Sequence, residues 1–383
     1  QIFMEDLSNI HLVALLGFCV ALVFGFVGNK THFCTMGAIS DVINMGSRAR
    51  LGAWFLAVGI AVLGVQFLGL SGMVELGGTM YLSTNFLYLS YILGGLTFGV
   101  GMTLAAGCGQ RNLVRVGGGN LKALVVVIVL GITAYMTMRG LLAIVRLDLI
   151  YKADMDLQNL GMESQGVSQA VSAVTGISDG ITLQSILAIL IGLAFIGYAL
   201  KHSEFRTSFD NILAGVVIGV CVILAWYVTG YVGQDDFDPI DPQGLTFIGP
   251  TGNTLSYLMT FTGAEINFGI AVTFGMILGS FIYAISSGNF RLETFSNQSE
   301  MVSHLIGAVL MGFGGVLSFG CTIGQGVTGI STLAIGSFLA LGSIFFGSAL
   351  TMKMQYHMLD ESFGSALGIS LKELVNPFSK EEM

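Results

Sequence analysis

This chain has little charge, little proline and no paired cysteines. Of its 383 residues only 10% are Asp, Glu, Lys or Arg, while 54% are hydrophobic; a water-soluble domain carries roughly a quarter charged residues. That scarcity excludes a soluble globular domain and places the chain in a lipid bilayer. Proline occurs four times, and three of the four (Pro239, Pro242, Pro250) fall in one polar segment, so the long apolar runs are free of it. The five cysteines (Cys19, Cys34, Cys108, Cys221, Cys321) contain no C-x-x-C pair and no zinc-spaced Cys/His cluster. Neither a disulfide framework nor a metal site is expected, and no motif points to a cofactor or to catalysis. A net charge of −8 argues against nucleic acid as a partner. The chain begins at Gln1, so a native start upstream of it is expected and a signal peptide is not judged.

What the chain has instead is glycine, 54 residues of it, about twice ordinary usage. Small residues let helix backbones approach closely in lipid, where no hydrophobic drive holds helices together. Nine stretches are long and apolar enough to cross a hydrocarbon core of about 30 Å. They lie near 10–29, 51–70, 86–107, 121–145, 182–200, 209–231, 264–286, 302–320 and 333–352. The fold expected is an all-α integral membrane protein with about nine transmembrane helices, plus short broken or re-entrant helices and a partial inverted repeat. Lys30, Arg48 and Arg50 follow the first stretch, Arg111, Arg115 and Lys122 the third, Lys201 and Arg206 the fifth, Arg291 the seventh and Lys353 the ninth. Segments 71–85, 232–263 and 321–332 carry no Lys or Arg. Segment 146–181 has Arg146 and Lys152 among Asp148, Asp154, Asp156, Glu163 and Asp179. The positive-inside rule then predicts an external N-terminus and a cytoplasmic C-terminus.

One segment occurs twice. Gly94–Arg115 reads GGLTFGVGMTLAAGCGQRNLVR, and GAVLMGFGGVLSFGCTIGQG begins at Gly307. An offset of 213 residues carries Gly94, Gly99, Gly101, Leu104, Gly107 and Cys108 onto Gly307, Gly312, Gly314, Leu317, Gly320 and Cys321. The first copy belongs to the third stretch and the second to the eighth, so the two run in opposite directions. Inverted repeats bring equivalent broken helices together at the bilayer midplane, where transporters hold their substrates. The chain is read as a single transporter domain over 1–383, its halves at about 10–145 and 182–352, with 146–181 and 232–263 as external loops.

Three segments between apolar spans are too polar or glycine-rich to face lipid: 29–41 (NKTHFCTMGAISD), 107–119 (GCGQRNLVRVGGG) and 320–331 (GCTIGQGVTGIS). Irregular backbone survives at membrane depth only where protein or a water-filled cavity satisfies it. These segments are expected to be short helices buried between the spans, with N-termini that favour an anion. Each carries one cysteine: Cys34, Cys108 or Cys321. A lone cysteine in a membrane helix is ordinarily small, buried and inert, and Cys19 and Cys221, amid valines and leucines, are read that way. The other three sit at helix breaks beside glycine, and are expected to line a pathway as neutral S–H donors. Gln110 and Gln325 are candidate amide donors, with Gly107 and Gly320 giving close backbone approach. Arg111 and Arg115 are candidates for anion recruitment, although positive-inside anchoring explains them equally well. His32, Glu265 and His304 are ionisable residues at the membrane edge.

At these cysteine segments the chain resembles the YeeE/YedE family of bacterial membrane proteins, the thiosulfate transporters. The resemblance rests on FCTMGA around Cys34, FGVGMTLAAGC leading into Cys108, and GFGGVLSFGCTIGQGVTGIS around Cys321. It implies nine spans with short broken helices, a protein narrowed at the membrane centre, and uptake of thiosulfate across a bacterial inner membrane. It further implies that the dianion passes along Cys34, Cys108 and Cys321, with a cytoplasmic sulfur-carrier protein as partner and no such domain fused here. The length of the two external loops allows a branch that handles another sulfur or selenium compound. Rival readings are a membrane thiol–disulfide oxidoreductase, which needs two thiols within bridging distance, a passive channel for a neutral solute, and a structural scaffold.

Overall fold

The computed structural model describes residues 9–176, 180–235 and 239–375. Asp179, expected in an external loop, lies outside them. The first half contains α1 (Asn9–Lys30), α2 (Thr35–Ser40), α3 (Ala49–Leu70), α4 (Tyr88–Leu104), α5 (Gly109–Gly117), α6 (Leu121–Arg139) and α7 (Leu142–Val145). After α8 (Val167–Thr175) and α9 (Ile181–Lys201), the second half follows. It comprises α10 (Ser203–Arg206), α11 (Phe209–Tyr227), α12 (Ile248–Met259), α13 (Phe268–Ser286), α14 (Gln298–Leu317), α15 (Ile335–His357) and α16 (Phe363–Val375). Nine of these helices among the described residues are long and apolar enough to cross a membrane. The protein is therefore an all-α, multi-pass membrane protein.

Local sequence explains where several spans begin. Asn120, Asn267 and Asn297 each stand one residue before a helix. Their side-chain oxygens accept from the N–H groups of Ala123, Ile270 and Glu300 at 2.8, 3.0 and 2.7 Å, capping donors that would otherwise be orphaned. The fourth span is shorter than its apolar run predicts. It stops at Arg139, because Gly140 adopts an extended conformation, and the remainder of the run forms the separate α7.

The architecture consists of four broken units, each a span, a short central segment and a second span: α1–α2–α3, α4–α5–α6, α11–α12–α13, and α14, the π-helical turn Gly324–Gly329, then α15. The 213-residue offset relates the first pair of units to the second. It carries Thr35 of α2 onto Ile248 of α12 and Leu121 of α6 onto Ala334, one residue before α15. The packing obeys the same symmetry: α1 packs on α13 as α11 packs on α3, α4 packs on α15 as α14 packs on α6, and α4 packs on α14. Helix α9 has no counterpart and rests against α3 with most of its surface outward.

The two copies of the glycine-rich repeat face each other. A Cβ on Gly94 would stand 2.5 Å from the Ser318 nitrogen, and one on Gly314 would stand 2.6 Å from the Phe98 nitrogen. Gly101 and Gly307 approach each other's backbones in the same way. Glycine spacing in this pair of helices is thus a backbone-to-backbone contact, as close packing in lipid requires.

Segment 232–263, read from sequence as an external loop, differs from that expectation. Its residues 236–238 lie outside the described residues, and its second half enters the protein as α12, with Leu245, Phe247 and Ile248 at most 1% exposed. Segment 146–176 folds over the far end of the Cys321 segment. Met155–Asp156 pairs antiparallel with Asn85–Phe86, and the Ile335 N–H donates to the Gln165 carbonyl at 2.9 Å.

Beyond the last span, α16 folds back on α15 through Glu373, which meets Lys353 at 2.5 Å and His357 at 3.2 Å. The hydrogen bond from Lys353 holds the Glu373 carboxyl below its usual range. A depressed carboxyl stabilises above its unfolded pKa of about 4.3 and loses that contribution as pH falls through the lower folded value. Protection of the amides across 363–375, taken relative to the intrinsic exchange rate at each pH, is expected to fall below about pH 4 while α15 stays protected. Equal protection of α16 at pH 3 and 7 would contradict this docking.

Candidate functional site

The three cysteine segments share one backbone device. His32, Ala106 and Phe319, each two residues before a cysteine, adopt left-handed conformations with φ of 52°, 52° and 58°. In two of them the turn closes α4 and α14 in a Schellman arrangement. Gly107 donates to the Met102 carbonyl at 2.9 Å and Gly320 to the Gly315 carbonyl at 2.8 Å. Glycine is the usual occupant of that position, and a side chain there costs roughly 1 kcal/mol. Ala106 is exposed, so Ala106→Gly removes strain without removing packing. It is expected to raise the thermal midpoint in detergent by a few degrees, and a fall would show the strain to be absent.

Each turn delivers its cysteine to the start of the next segment, where two of the three sulfurs cap backbone donors. Gly37 N–H lies 3.3 Å from Cys34 Sγ and Gly324 N–H lies 3.4 Å from Cys321 Sγ. Cys108 differs, making no such cap at the start of α5, while the N–H groups of Ile323 and Phe247 also face Cys321. The sulfurs thus stand where a helix N-terminus concentrates positive potential. Cys108 and Cys321 are fully buried and Cys34 is 9% exposed. Cys108 lies within electrostatic range of both Cys34 and Cys321, which gathers the three thiols as one row of neighbours. Cys221 is also buried but stands outside the row, its thiol directed at the Val20 carbonyl at 3.7 Å. All five cysteines are free.

The amides divide into two roles. Gln110 is fully buried, its Oε1 lies 3.9 Å from Cys108 Sγ, and its Nε2 has no partner. Gln325 spends its Nε2 on the Ser318 carbonyl at 2.5 Å and leaves Oε1 unpartnered. Asn112, which the 213-residue offset carries onto Gln325, braces the other turn, donating to the Gly107 and Cys108 carbonyls at 2.8 and 3.1 Å. Sequence reasoning missed Asn112. The repeat alignment, continued four residues past Cys108, would have found it.

Two open cavities lie beside the cysteine segments. One, of about 450 Å³, is lined by Asn29, His32, Arg111, Arg115, Arg291 and Glu293. There Arg111 reaches His32 Nδ1 at 3.3 Å and keeps a buried Nη1 without a partner, while Arg115 donates to the Ala106 carbonyl at 3.3 Å. The other, of about 220 Å³, includes Arg146, Thr246, Phe319 and Gly320. They open at opposite ends of the same helices. Asn120 and Glu293, which precede α6 and α14, touch the first, and Met138 and Phe319, at or beyond their C-terminal ends, touch the second. Ser303 bonds the end of α4 and Ser90 bonds the end of α14. Those levels lie fourteen residues apart on α14, which makes the barrier roughly 20 Å thick at 1.5 Å per residue.

Other residues near Cys321 were also not picked out from sequence. Tyr81 and Trp226 make an edge contact at 6.3 Å, their OH and Nε1 are buried without partners, and Tyr81 lies within electrostatic range of Cys321. Phe247 occupies the position that corresponds to Cys34, so the fourth broken unit has no thiol to reveal it. Glu265 is exposed just before α13 and is not brought to the thiols. His304 is buried in α14, bonded to the Glu300 carbonyl at 2.8 Å.

Comparison with known proteins identifies the family. A family model described as sulphur transport matches residues 30–350. A thiosulfate transporter, TsuA, of Escherichia coli strain K12 is 25% identical over 344 residues, covering 87% of this chain and 92% of its own. TsuA of Spirochaeta thermophila is 28% identical over 334 residues, covering 86% of this chain and 94% of its own. Family and relatives are transporters, not enzymes. With a match over most of its length, the chain belongs to the sulphur-transport family, YeeE/YedE.

Proposed function

We propose that the protein imports thiosulfate, or a closely related inorganic sulfur anion, across a bacterial inner membrane by way of Cys321, Cys108 and Cys34. The observation that carries this reading is the row itself: three buried cysteines, one within electrostatic range of the other two, with cavities at opposite ends of the spans. The names of the two relatives supply the substrate class. Thiosulfate presents a soft, diffuse sulfane sulfur, for which a polarisable S–H is a matched weak donor. A pathway needs sites strong enough to replace water and weak enough to release, and several weak sites in series meet both needs. Segment 321–332 carries no Lys or Arg, so nothing in it traps the dianion as a fixed cation would. Gln110 Nε2 and the N–H groups around Cys34 and Cys321 supply the remaining donors.

With the positive-inside orientation, the Arg146 mouth is external and the His32–Arg111–Arg115 mouth is cytoplasmic. Arg111 and Arg115 then draw the anion out of the row, where a sulfur-carrier protein receives it. The rival thiol–disulfide reading requires a bridge to form and break, and predicts activity that follows redox potential. The test is uptake of radiolabelled thiosulfate by liposomes containing the protein. Saturable uptake, suppressed by unlabelled thiosulfate and insensitive to reductant, is expected; none from folded protein would reject thiosulfate as the substrate.

A further inference from the structure

Segment 290–293 lies alongside 118–121 and divides two environments. The Arg291 N–H donates to the Gly118 carbonyl at 3.3 Å and the Leu121 N–H to the Glu293 carbonyl at 2.9 Å. Its residues alternate, as an extended chain alternates between two faces. Asn289, Arg291 and Glu293 line the polar cavity, while Phe290 and Leu292 line a separate groove of about 590 Å³.

The groove belongs to the bilayer rather than to water. Val116 and Gly117 of α5, Leu121 and Leu124 of α6, and Leu278 and Phe281 of α13 line it, and Asn120 is the one polar side chain among its lining residues. That amide is already committed to the Ala123 N–H and to Glu293, so the groove offers water almost nothing to bond. Leu121, Leu124, Leu278 and Phe281 are exposed, which opens the groove on the lipid face. Its deep end, at Phe274, stands twelve residues before Ser286, the last of α13, or about 18 Å at 1.5 Å per residue. That is the depth of one leaflet, half of a hydrocarbon core of about 30 Å. An unfilled groove forfeits dispersion contacts along its walls, and the apolar molecule at this depth in a membrane is a lipid chain.

The shallow end carries positive charge. Arg291 stands between Phe290 and Leu292, is exposed, and forms no ion pair among the described residues. Arg111 and Arg115 line the cavity on its other side, where Glu293 is the one carboxylate and is engaged by Asn120. A phosphate arriving at this edge meets a net positive rim.

We propose that the groove binds a phospholipid of the leaflet on this side, cytoplasmic in the positive-inside orientation, with one acyl chain in the groove and its phosphate at Arg291. The chain lies against the last turn of α5, the helix that Cys108 begins, where Gly117 packs directly on the Ile277 carbonyl. The lipid thus supports the contact of α5 with α13, whatever anion passes along the thiols.

Native mass spectrometry of the delipidated protein in detergent, titrated with dioleoylphosphatidylglycerol, tests this. One lipid is expected to bind the parent. Leu124→Trp combined with Leu278→Trp fills the groove and is expected to weaken binding at least about tenfold, as displacing two buried methylenes would. Ile189→Trp, on the exposed face of α9, should bind as the parent does. Arg291→Gln should bind about 5-fold more weakly, the worth of one basic residue beside an anionic lipid. Photolabelling of the parent by phosphatidylglycerol with a diazirine in mid-chain serves if the double variant does not fold, and should mark 116–124 and 274–281. Parental affinity in the double variant, or label spread evenly over the outer helices, overturns the proposal. A parental dimer that the two tryptophans dissociate assigns the groove to a second copy of the chain and also overturns it. Unchanged binding in Arg291→Gln overturns the placement of the headgroup. Bound lipid is the quantity read, so none of these outcomes depends on thiosulfate transport.

Discussion

Replacing Gly314 with valine is expected to leave almost no folded protein, whereas the same change at Gly197 is expected to be silent. A Cβ at Gly314 would stand 2.6 Å from the Phe98 nitrogen and 2.7 Å from the Gly94 carbonyl oxygen. Both atoms are backbone, in a helix pinned between α14 and α15, so neither moves without displacing the whole span. Overpacking a well-packed core with adaptable side chains costs about 1–3 kcal/mol. A rigid backbone contact costs more, and above about 4 kcal/mol it is comparable with the whole stability of a typical domain. Gly197 in α9 has no atom near its Cβ position and is exposed on the outer face. Fluorescence-detected size exclusion of both variants, with Gly101→Val as a second case, reads the difference directly. A monodisperse Gly314→Val at parental yield would disprove the packing of α4 on α14.

The second large effect is expected within the row. Cys108→Ala should slow thiosulfate uptake by about 10- to 100-fold, which corresponds to roughly 1.4–2.7 kcal/mol on the barrier. It removes the thiol that lies within electrostatic range of both of the others. Cys108→Ser separates the loss of volume from the loss of sulfur. A hydroxyl fills much of the same space but is a hard, strongly hydrated group, so folding should be preserved and uptake should stay slow. Cys221→Ala is the matched control, because Cys221 is as deeply buried yet stands apart from the row. Its uptake should remain within about 2-fold of the parent, as for a site distant from the reacting groups.

The spans were legible in the sequence because hydropathy and length decide them. The run expected at 10–29 is observed as Asn9–Lys30, and that at 51–70 as Ala49–Leu70. Helix α12 was hidden for a physical reason. It is 12 residues long and contains Pro250, Thr251, Asn253 and Thr254, so it has neither the length nor the apolarity of a span, and its leading residue is Phe247 where the other broken segments have cysteine. Its burial comes from α6, α13 and α14, which no local pattern reports. Cys34, Cys108 and Cys321 were picked out because glycine and helix breaks mark them locally. Arg146 and Thr246, at the second cavity, and Tyr81 and Trp226, packed on each other behind Cys321, were not, since the four come from four distant segments. Gln325 shows the limit of counting donors from sequence, because its N–H is committed to the Ser318 carbonyl and only its oxygen stays free.

The central claim is that a sulfur anion passes along the three thiols, and one comparison addresses it most directly: radiolabelled thiosulfate uptake by liposomes containing the parent, Cys34→Ala, Cys108→Ala, Cys321→Ala or Cys221→Ala at equal folded protein. The account predicts strong uptake by the parent and Cys221→Ala, with a loss of at least about tenfold in each of the other three. Uptake at the parental rate in Cys34→Ala, Cys108→Ala and Cys321→Ala would contradict it, and would leave a transporter whose path does not use its thiols.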